Sequence, residues 1–154
     1  MSITRVQNHL SKYSLEDRII VLEESSATVL EAAHALKVEP EQIAKTLGFY
    51  VNGEPVLIVC SGTSKIDNSK FKAAFSKHGG HMIPIDEVEE VIGHAVGGVC
   101  PFGIEPGVKV YLDESLKHYD IIYPAAGTSN SAVKLSLKEL EDTSGYIAWI
   151  DVTK

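Results

Sequence analysis

The sequence predicts a single α/β (α+β) domain in which short helices surround a mixed sheet, and three observations carry that reading. The first is a hairpin: Leu47 to Val51, then Asn52-Gly53, then Pro55 to Cys60, where Asn-Gly tolerates the positive φ of a tight two-residue turn. The second is a pair of capping boxes, Thr28-x-x-Glu31 and Ser136-x-x-Glu139, which mark helix starts on either side of strand-like runs. The third is continuity. The 154 residues hold 44% apolar and 23% charged residues, with no repeat, low-complexity tract or linker, so one core of ordinary composition is expected over 1–154. The hairpin and the irregular alternation do not fit simple βαβ winding.

Taken in order, Ile3, Val6, Leu10 and Tyr13 share one helical face, which predicts a short amphipathic helix over 3–13. Arg18 to Leu22, rich in Ile and Val, reads as a buried strand. The first capping box opens a helix through residue 37, with Val29, Ala32, Ala33 and Leu36 on one side. Pro40 suits a helix start, and a helix over 40–45 would place Lys45 at the entrance to the first hairpin strand. Asp67 caps a helix over 68–77 with Phe71, Ala74 and Phe75 inward, and His81-Met82-Ile83 is a short strand. Pro84 opens an acidic helix through Val91, its carboxylates leaning towards the positive end of the helix dipole. Glu105-Pro106-Gly107 is a turn, Val108 to Leu112 a half-buried strand, and Asp113 caps a short helix to Tyr119. Ile121 to Tyr123, Val133 to Leu135 and Tyr146 to Ile150 supply further strands, with a small, polar connector over 125–130.

Bulk properties exclude several classes of function. A net charge of −7 argues against sequence-blind binding of DNA, which needs a basic face, but not against grasping one nucleotide at a strand end. No apolar run reaches the length of a membrane span, and Met1-Ser2-Ile3-Thr4-Arg5 lacks the core and cleavage site of a signal peptide, so a cytoplasmic protein without a membrane partner is expected. The two cysteines, Cys60 and Cys100, read as free thiols. None of the six histidines forms a ligand pair at helical spacing with a third ligand nearby, and His78-x-x-His81 spans a Gly-Gly turn. No P-loop, dinucleotide fingerprint or Gly-x-Ser-x-Gly elbow is present, so no cofactor is expected.

The chemistry that remains lies in Lys45 and in the stretch Gly93-His94-Ala95-Val96-Gly97-Gly98-Val99-Cys100-Pro101-Phe102-Gly103. Glycine lets a ligand approach the main chain, and a row of free N–H groups makes a concavity for anionic oxygen, with Pro101 ending the row. The same residues also fit a β-bulge with a tight turn. Lys45 reads equally as a solvated charge or as a donor to phosphate or oxyanion. His94 and Cys100 could form a thiol–imidazole pair.

The sequence resembles the YbaK family of aminoacyl-tRNA deacylases, free-standing relatives of the editing domain inserted in bacterial prolyl-tRNA synthetases. The resemblance is carried by Ser26-Ala27-Thr28 with Glu31-Ala32-Ala33, by Ile43-Ala44-Lys45-Thr46-Leu47, and by the glycine stretch. Val110-Tyr111-Leu112-Asp113 and Tyr123-Pro124-Ala125-Ala126-Gly127 extend it over nearly the whole chain. It implies a YbaK-like fold, a mostly antiparallel sheet with a barrel-like core among short helices. It also implies hydrolysis of the ester joining a mischarged amino acid to the tRNA 3′ end, with a synthetase as a further partner. The same fold could instead serve as a non-catalytic module binding the tRNA 3′ end or an aminoacyl group. By this resemblance Lys45 takes the place of the essential lysine, and the Gly97-x-x-x-Pro101 loop faces the acyl carbonyl. Under the catalytic reading the N–H groups of Gly98, Val99 and Cys100 receive the oxyanion, and the Cys100 thiol is incidental. Thr28, Thr46, Gly97, Pro101, Tyr123, Ser129 and Asn130 form the expected substrate-binding set. Tyr123 stands where some editing relatives carry histidine, which argues against a histidine base.

Overall fold

A computed structural model of the chain describes residues 2–75 and 80–154. Among these, the helices are α1 (Ser2–Ser11), α2 (Val29–Leu36), α3 (Asn68–Ala74), α4 (Ile85–Ile92) and α5 (Leu137–Ser144). The strands are β1 (Ile19–Val21), β2 (Ile43–Val51), β3 (Glu54–Ser61), β4 (His81–Met82), β5 (Lys109–Asp113), β6 (Ile121–Pro124), β7 (Ser131–Val133), β8 (Leu135–Ser136) and β9 (Ala148–Ile150). The main sheet runs β8-β6-β2-β3-β5-β9 with β4 also on β2, and curls into a half-barrel; β1 and β7 form a separate antiparallel pair.

The hairpin is where the sequence places it. Asn52 and Gly53, at φ +52° and +79°, close β2 onto β3 in an antiparallel register that runs from Val51–Glu54 to Ala44–Ser61. β3 then pairs in parallel with β5, and β5 with β9, while β6 pairs in parallel with β2. Within the main sheet β2–β3, β2–β4 and β6–β8 are antiparallel, matching the three parallel pairings, and the separate β1–β7 pair makes antiparallel pairing the commoner kind among the described residues. Leu57, Val59, Val110 and Leu112 meet Val6 and Leu10 of α1, Ile92 of α4 and Leu140 of α5 in the principal core, all at most 2% exposed.

Both capping boxes form. The Thr28 hydroxyl accepts from the Glu31 N–H at 3.1 Å and the Glu31 carboxylate accepts from the Thr28 N–H at 3.2 Å. Ser136 and Glu139 repeat the exchange at the start of α5. The buried Asp113 caps the short 3₁₀ turn over Glu114–His118, and it also accepts from the Val152 N–H and the Thr153 hydroxyl, so it ties the chain after β9 to β5.

Several expectations change. Pro40 opens only one 3₁₀ turn, Pro40–Gln42, because β-branched Ile43 already joins the sheet; Lys45 is thus the third residue of β2 rather than the end of a helix. β1 is half-exposed, with Val21 65% accessible, since its one partner strand among the described residues is the short β7. Tyr13 lies beyond α1 and is 45% exposed. In α3, Phe71 is buried but Ala74 faces outward. The end of that helix expected over 76–77, and His78, lie outside the described residues.

Candidate functional site

A gap in strand pairing creates the site. On the edge of β2 opposite β3, β6 covers Ile43 and Ala44, and β4 covers Phe49 and Tyr50. Between them the strand has no neighbour among the described residues. The Gly48 carbonyl on this edge accepts the Ile83 N–H at 3.0 Å, so alternation along an antiparallel strand also points the Thr46 main-chain N–H and C=O into the gap. The Thr46 Oγ1 is buried without a hydrogen-bond partner among the described residues. A buried hydroxyl left unpaired is costly, and a polar atom of a ligand would relieve that cost.

A cavity of about 380 Å³ occupies the gap. Its far wall is α4, whose Ile85, Val88 and Ile92 line it at helical spacing, from the exposed Ile85 at the mouth to the fully buried Ile92 at the floor. Val29 and Ala32 of α2 close another side, and Tyr123 of β6 and Ser131 and Ala132 of β7 a third. Thr28, Lys45, Thr46, Gly97, Val99 and Tyr123 from the expected set are thereby brought together, over a sequence separation of nearly a hundred residues. No histidine lines the cavity among the described residues.

Lys45 reaches from β2 to donate its ammonium to the Ser64 carbonyl. That contact uses one of three N–H donors and holds the ammonium in place; two remain for a ligand. The glycine stretch leaves α4 at Gly93 and makes a turn in which the Gly98 N–H donates to the Ala95 carbonyl at 2.9 Å. Gly97, at φ +92°, occupies the third position of that turn, where a type II geometry needs the left-handed region. Gly98 is glycine for a different reason: a Cβ there would lie 2.3 Å from the main chain of Gly127 and Thr128. Its carbonyl accepts the Gly127 N–H at 2.9 Å, so two loops are locked backbone to backbone.

This packing corrects the expected oxyanion donors. The Gly98 amide is engaged with Ala95 and cannot serve, whereas the N–H groups of Gly97 and Val99 have no partner among the described residues and belong to cavity-lining residues. The Cys100 N–H likewise has no partner among the described residues, but Cys100 and Pro101 are buried and do not line the cavity. Burial pushes the Cys100 thiol up to about 12, and hydrogen bonding to the Phe102 backbone offsets only part of that rise. The His94 ring gives no thiol–imidazole pair. Its Nε2 donates to the same Phe102 carbonyl at 2.6 Å, and burial lowers its pKa, which keeps the ring neutral. Ser129 and Asn130 stand off the cavity as well: the Ser129 carbonyl accepts the Ser26 N–H at 2.7 Å, and the Asn130 amide donates to the Leu22 carbonyl at 3.0 Å. They anchor the segment leading to Thr28. The expected site set does not include the apolar wall of α4, although Ile85, Val88 and Ile92 carry a helical stripe, because the carboxylates of that helix are its more conspicuous feature in the sequence.

Residues 23–143 match the aminoacyl-tRNA editing domain family, a span that contains every residue lining the cavity. The uncharacterized protein YwhH of Bacillus subtilis (strain 168) is 43% identical over 155 residues, covering 100% of this chain and 98% of that protein. The proline–tRNA ligases of Kosmotoga olearia and Halalkalibacterium halodurans are 34% identical over 90 residues and 31% over 117, with 58% and 76% of this chain covered. The matched region is only 16% and 20% of those ligases. A crystal structure described as "a putative trans-editing enzyme for prolyl tRNA synthetase" superposes with a TM-score of 0.87 at 31% identity, over 99% of this chain and 97% of the other. With the cavity lying wholly inside a matched span of this extent, the chain belongs to the aminoacyl-tRNA editing domain family.

Proposed function

We propose that the protein hydrolyses the ester between a mischarged amino acid and the 3′-terminal ribose of its tRNA, acting as a free-standing editing deacylase. The observation that carries this reading is that Lys45 lines one largely apolar cavity together with Gly97 and Val99, whose amides have no partner among the described residues. Water attacks the acyl carbon and the carbonyl oxygen takes up negative charge, stabilised by those amides. The carbon–oxygen bond to the ribose then breaks, and the departing oxygen takes a proton, which yields free amino acid and uncharged tRNA. Lys45 binds ribose or phosphate oxygen at the mouth with the donors left over from Ser64. Thr46 offers an orphaned hydroxyl to a polar atom of the acyl group.

No side-chain base is needed in this scheme. An aminoacyl ester is already activated, and preorganised donors contribute about 3–4 kcal/mol each when they meet the developing oxyanion. The amino-acid side chain packs on Ile83, Val88 and Ile92, so size is the basis of selection. A single methylene discriminates by about 1–3 kcal/mol, and a bounded cavity rejects larger side chains better than smaller ones.

Incubation with a panel of aminoacylated tRNAs, following loss of the ester, tests the proposal and names the substrate. Lys45→Ala is expected to lower turnover by about 10²–10³, with its melting curve unchanged. Absence of turnover on every acyl-tRNA overturns the hydrolytic reading in favour of a binding module.

A further inference from the structure

The turn Ser61–Ser64 is a wall between two cavities. On one side is the apolar cavity of the acyl site; on the other is a polar cavity of about 570 Å³, lined by Glu41, Thr63, Lys65, Lys70, His118 and Lys154 among others. A Cβ at Gly62 would lie 2.6 Å from Val29 Cγ1, which lines the apolar side, and 2.4 Å from the Pro40 carbonyl. The turn is closed by the Ser64 N–H to the Ser61 carbonyl at 3.0 Å and pinned by the Ser61 hydroxyl to the Glu41 carbonyl at 2.8 Å. Lys45 crosses this wall: it lines the apolar cavity, and its ammonium sits on the Ser64 carbonyl, part of the polar one.

Lys65, Lys70 and Lys154 line this cavity together with the carboxylates of Glu41, Glu114 and Asp151. Lys70 is paired with Asp151 at 3.1 Å, and Glu114 with Lys117 at 2.7 Å. Lys65 and Lys154 pair with no carboxylate among the described residues. They are held side by side because the Lys154 N–H donates to the Lys65 carbonyl at 2.9 Å, next to a bridge between Ile66 and Thr153. The Thr63 N–H has no partner among the described residues. In a chain of net charge −7, two ammoniums without an ion-pair partner among the described residues and an imidazole stand next to the site lysine, against the one unpaired carboxylate of Glu41 in the same lining.

A ligand whose ester lies at Lys45 and whose acyl group fills the apolar cavity must continue somewhere, and the polar cavity is the adjoining space. We infer that the polar cavity is the subsite for the single-stranded nucleotides that precede the esterified terminal nucleoside, with Lys65 and Lys154 on their phosphodiester oxygens. This inference rests on the deacylase reading for its orientation but has its own readout.

The test is binding of an uncharged, single-stranded RNA oligonucleotide ending in CCA, followed by fluorescence anisotropy across a salt series, with the variant K65E/K154E. Affinity is expected to fall roughly tenfold or more, and the slope of log K against log salt to shrink by about 1.4, the value for two lost phosphate contacts on a single strand. K65R/K154R retains binding, and the equal charge change at exposed, distant positions, K12E/K134E, keeps the slope. On an acyl-tRNA substrate, K65E/K154E raises KM by a similar factor while kcat stays within about twofold. An unchanged affinity and slope overturns the inference, as does a loss of kcat in place of the KM effect. Displacement of the RNA by inorganic phosphate at equal phosphate concentration overturns it too, because that marks a simple anion site. Should the RNA bind as described while no acyl-tRNA is hydrolysed, the subsite stands and the deacylase reading falls. Should deacylation proceed with KM and slope unaltered in K65E/K154E, the reverse holds.

Discussion

Cys100 and Gly98 sit one residue apart in the glycine stretch and are constrained for unrelated reasons. The Cys100 thiol is fully buried, pushed up to about 12 by loss of solvent, and 3.8 Å from the Phe102 carbonyl. A thiol that stays protonated is a poor nucleophile. Cys100→Ser is therefore expected to keep turnover within a fewfold of the parent, with a stability cost of about 1–2 kcal/mol for the buried hydroxyl. Native protein should resist alkylation by iodoacetamide at pH 8, which mass spectrometry will show; rapid labelling with loss of activity would restore a thiol mechanism. Gly98→Ala is expected to do the opposite. Its Cβ would meet the Gly127–Thr128 main chain at 2.3 Å, where neither backbone can yield without parting the two loops. Calorimetry should register a loss of roughly 3 kcal/mol or more, at the upper end of single substitutions, together with loss of turnover because Gly97 and Val99 move with it. Substitutions at Ser129 and Asn130, which stand off the cavity, should act through stability alone.

The glycine stretch as an element is held from beneath by α1. The Arg5 guanidinium donates to the Gly93 carbonyl at 3.2 Å and pairs with Glu105, while Gly103 rests on the Arg5 main chain. His9 adds a second clamp, accepting the Gly103 N–H at 3.1 Å. The Arg5–Glu105 pair is about two-fifths exposed, so the ion pair itself contributes only about 0–1 kcal/mol. Arg5→Ala should accordingly cost little in melting temperature yet reduce kcat several-fold, since the amides of Gly97 and Val99 lose a fixed base. Equal effects on both quantities would show that α1 is only part of the core. The other wall is set by α2 and α4. Ala32→Leu, pointing into the cavity from α2, should leave the fold intact and abolish turnover of larger acyl groups before smaller ones, which a comparison of two acyl-tRNA substrates will show. The helix starts and the hairpin were legible because each is decided within a few residues, by Thr28 with Glu31 or by Asn52 with Gly53. The length of β2 was not. Local propensity after Pro40 favours helix, and the strand wins because Ala44 pairs with both β3 and β6 and Ile43 with β6.

Over the molecule as a whole, burial of two thiols makes stability depend on alkaline pH. Cys60 and Cys100 both have pKa values pushed up to about 12 from an ordinary 9.0, mainly by desolvation, with Lys45 opposing the shift at Cys60. Below about pH 9 folded and unfolded chains both carry these protons, and no dependence arises. Between about 9 and 12 the unfolded chain releases them and the folded one does not, so stability falls as pH rises, by about 1.4 kcal/mol per unit for each thiol. Cys60→Ala/Cys100→Ala should flatten that slope in denaturant titrations at pH 9 to 11. His94 acts at the other end. Its pKa is lowered by burial, so the unfolded chain binds the proton more readily and stability declines as pH falls below the ordinary histidine range.

The amino-acid sequence was sufficient for the identity of the lysine strand and the glycine loop, for most element starts, and for the family, since turns, caps and short motifs are written in neighbouring residues. It could not show that the Gly98 amide is taken by Ala95, that Thr46 faces a gap, or that Lys45 bridges two cavities. Those facts depend on which strands stop where along the edge of β2 and on how loops remote in sequence touch, and such pairings come from the packing of the folded chain rather than from any local run of residues.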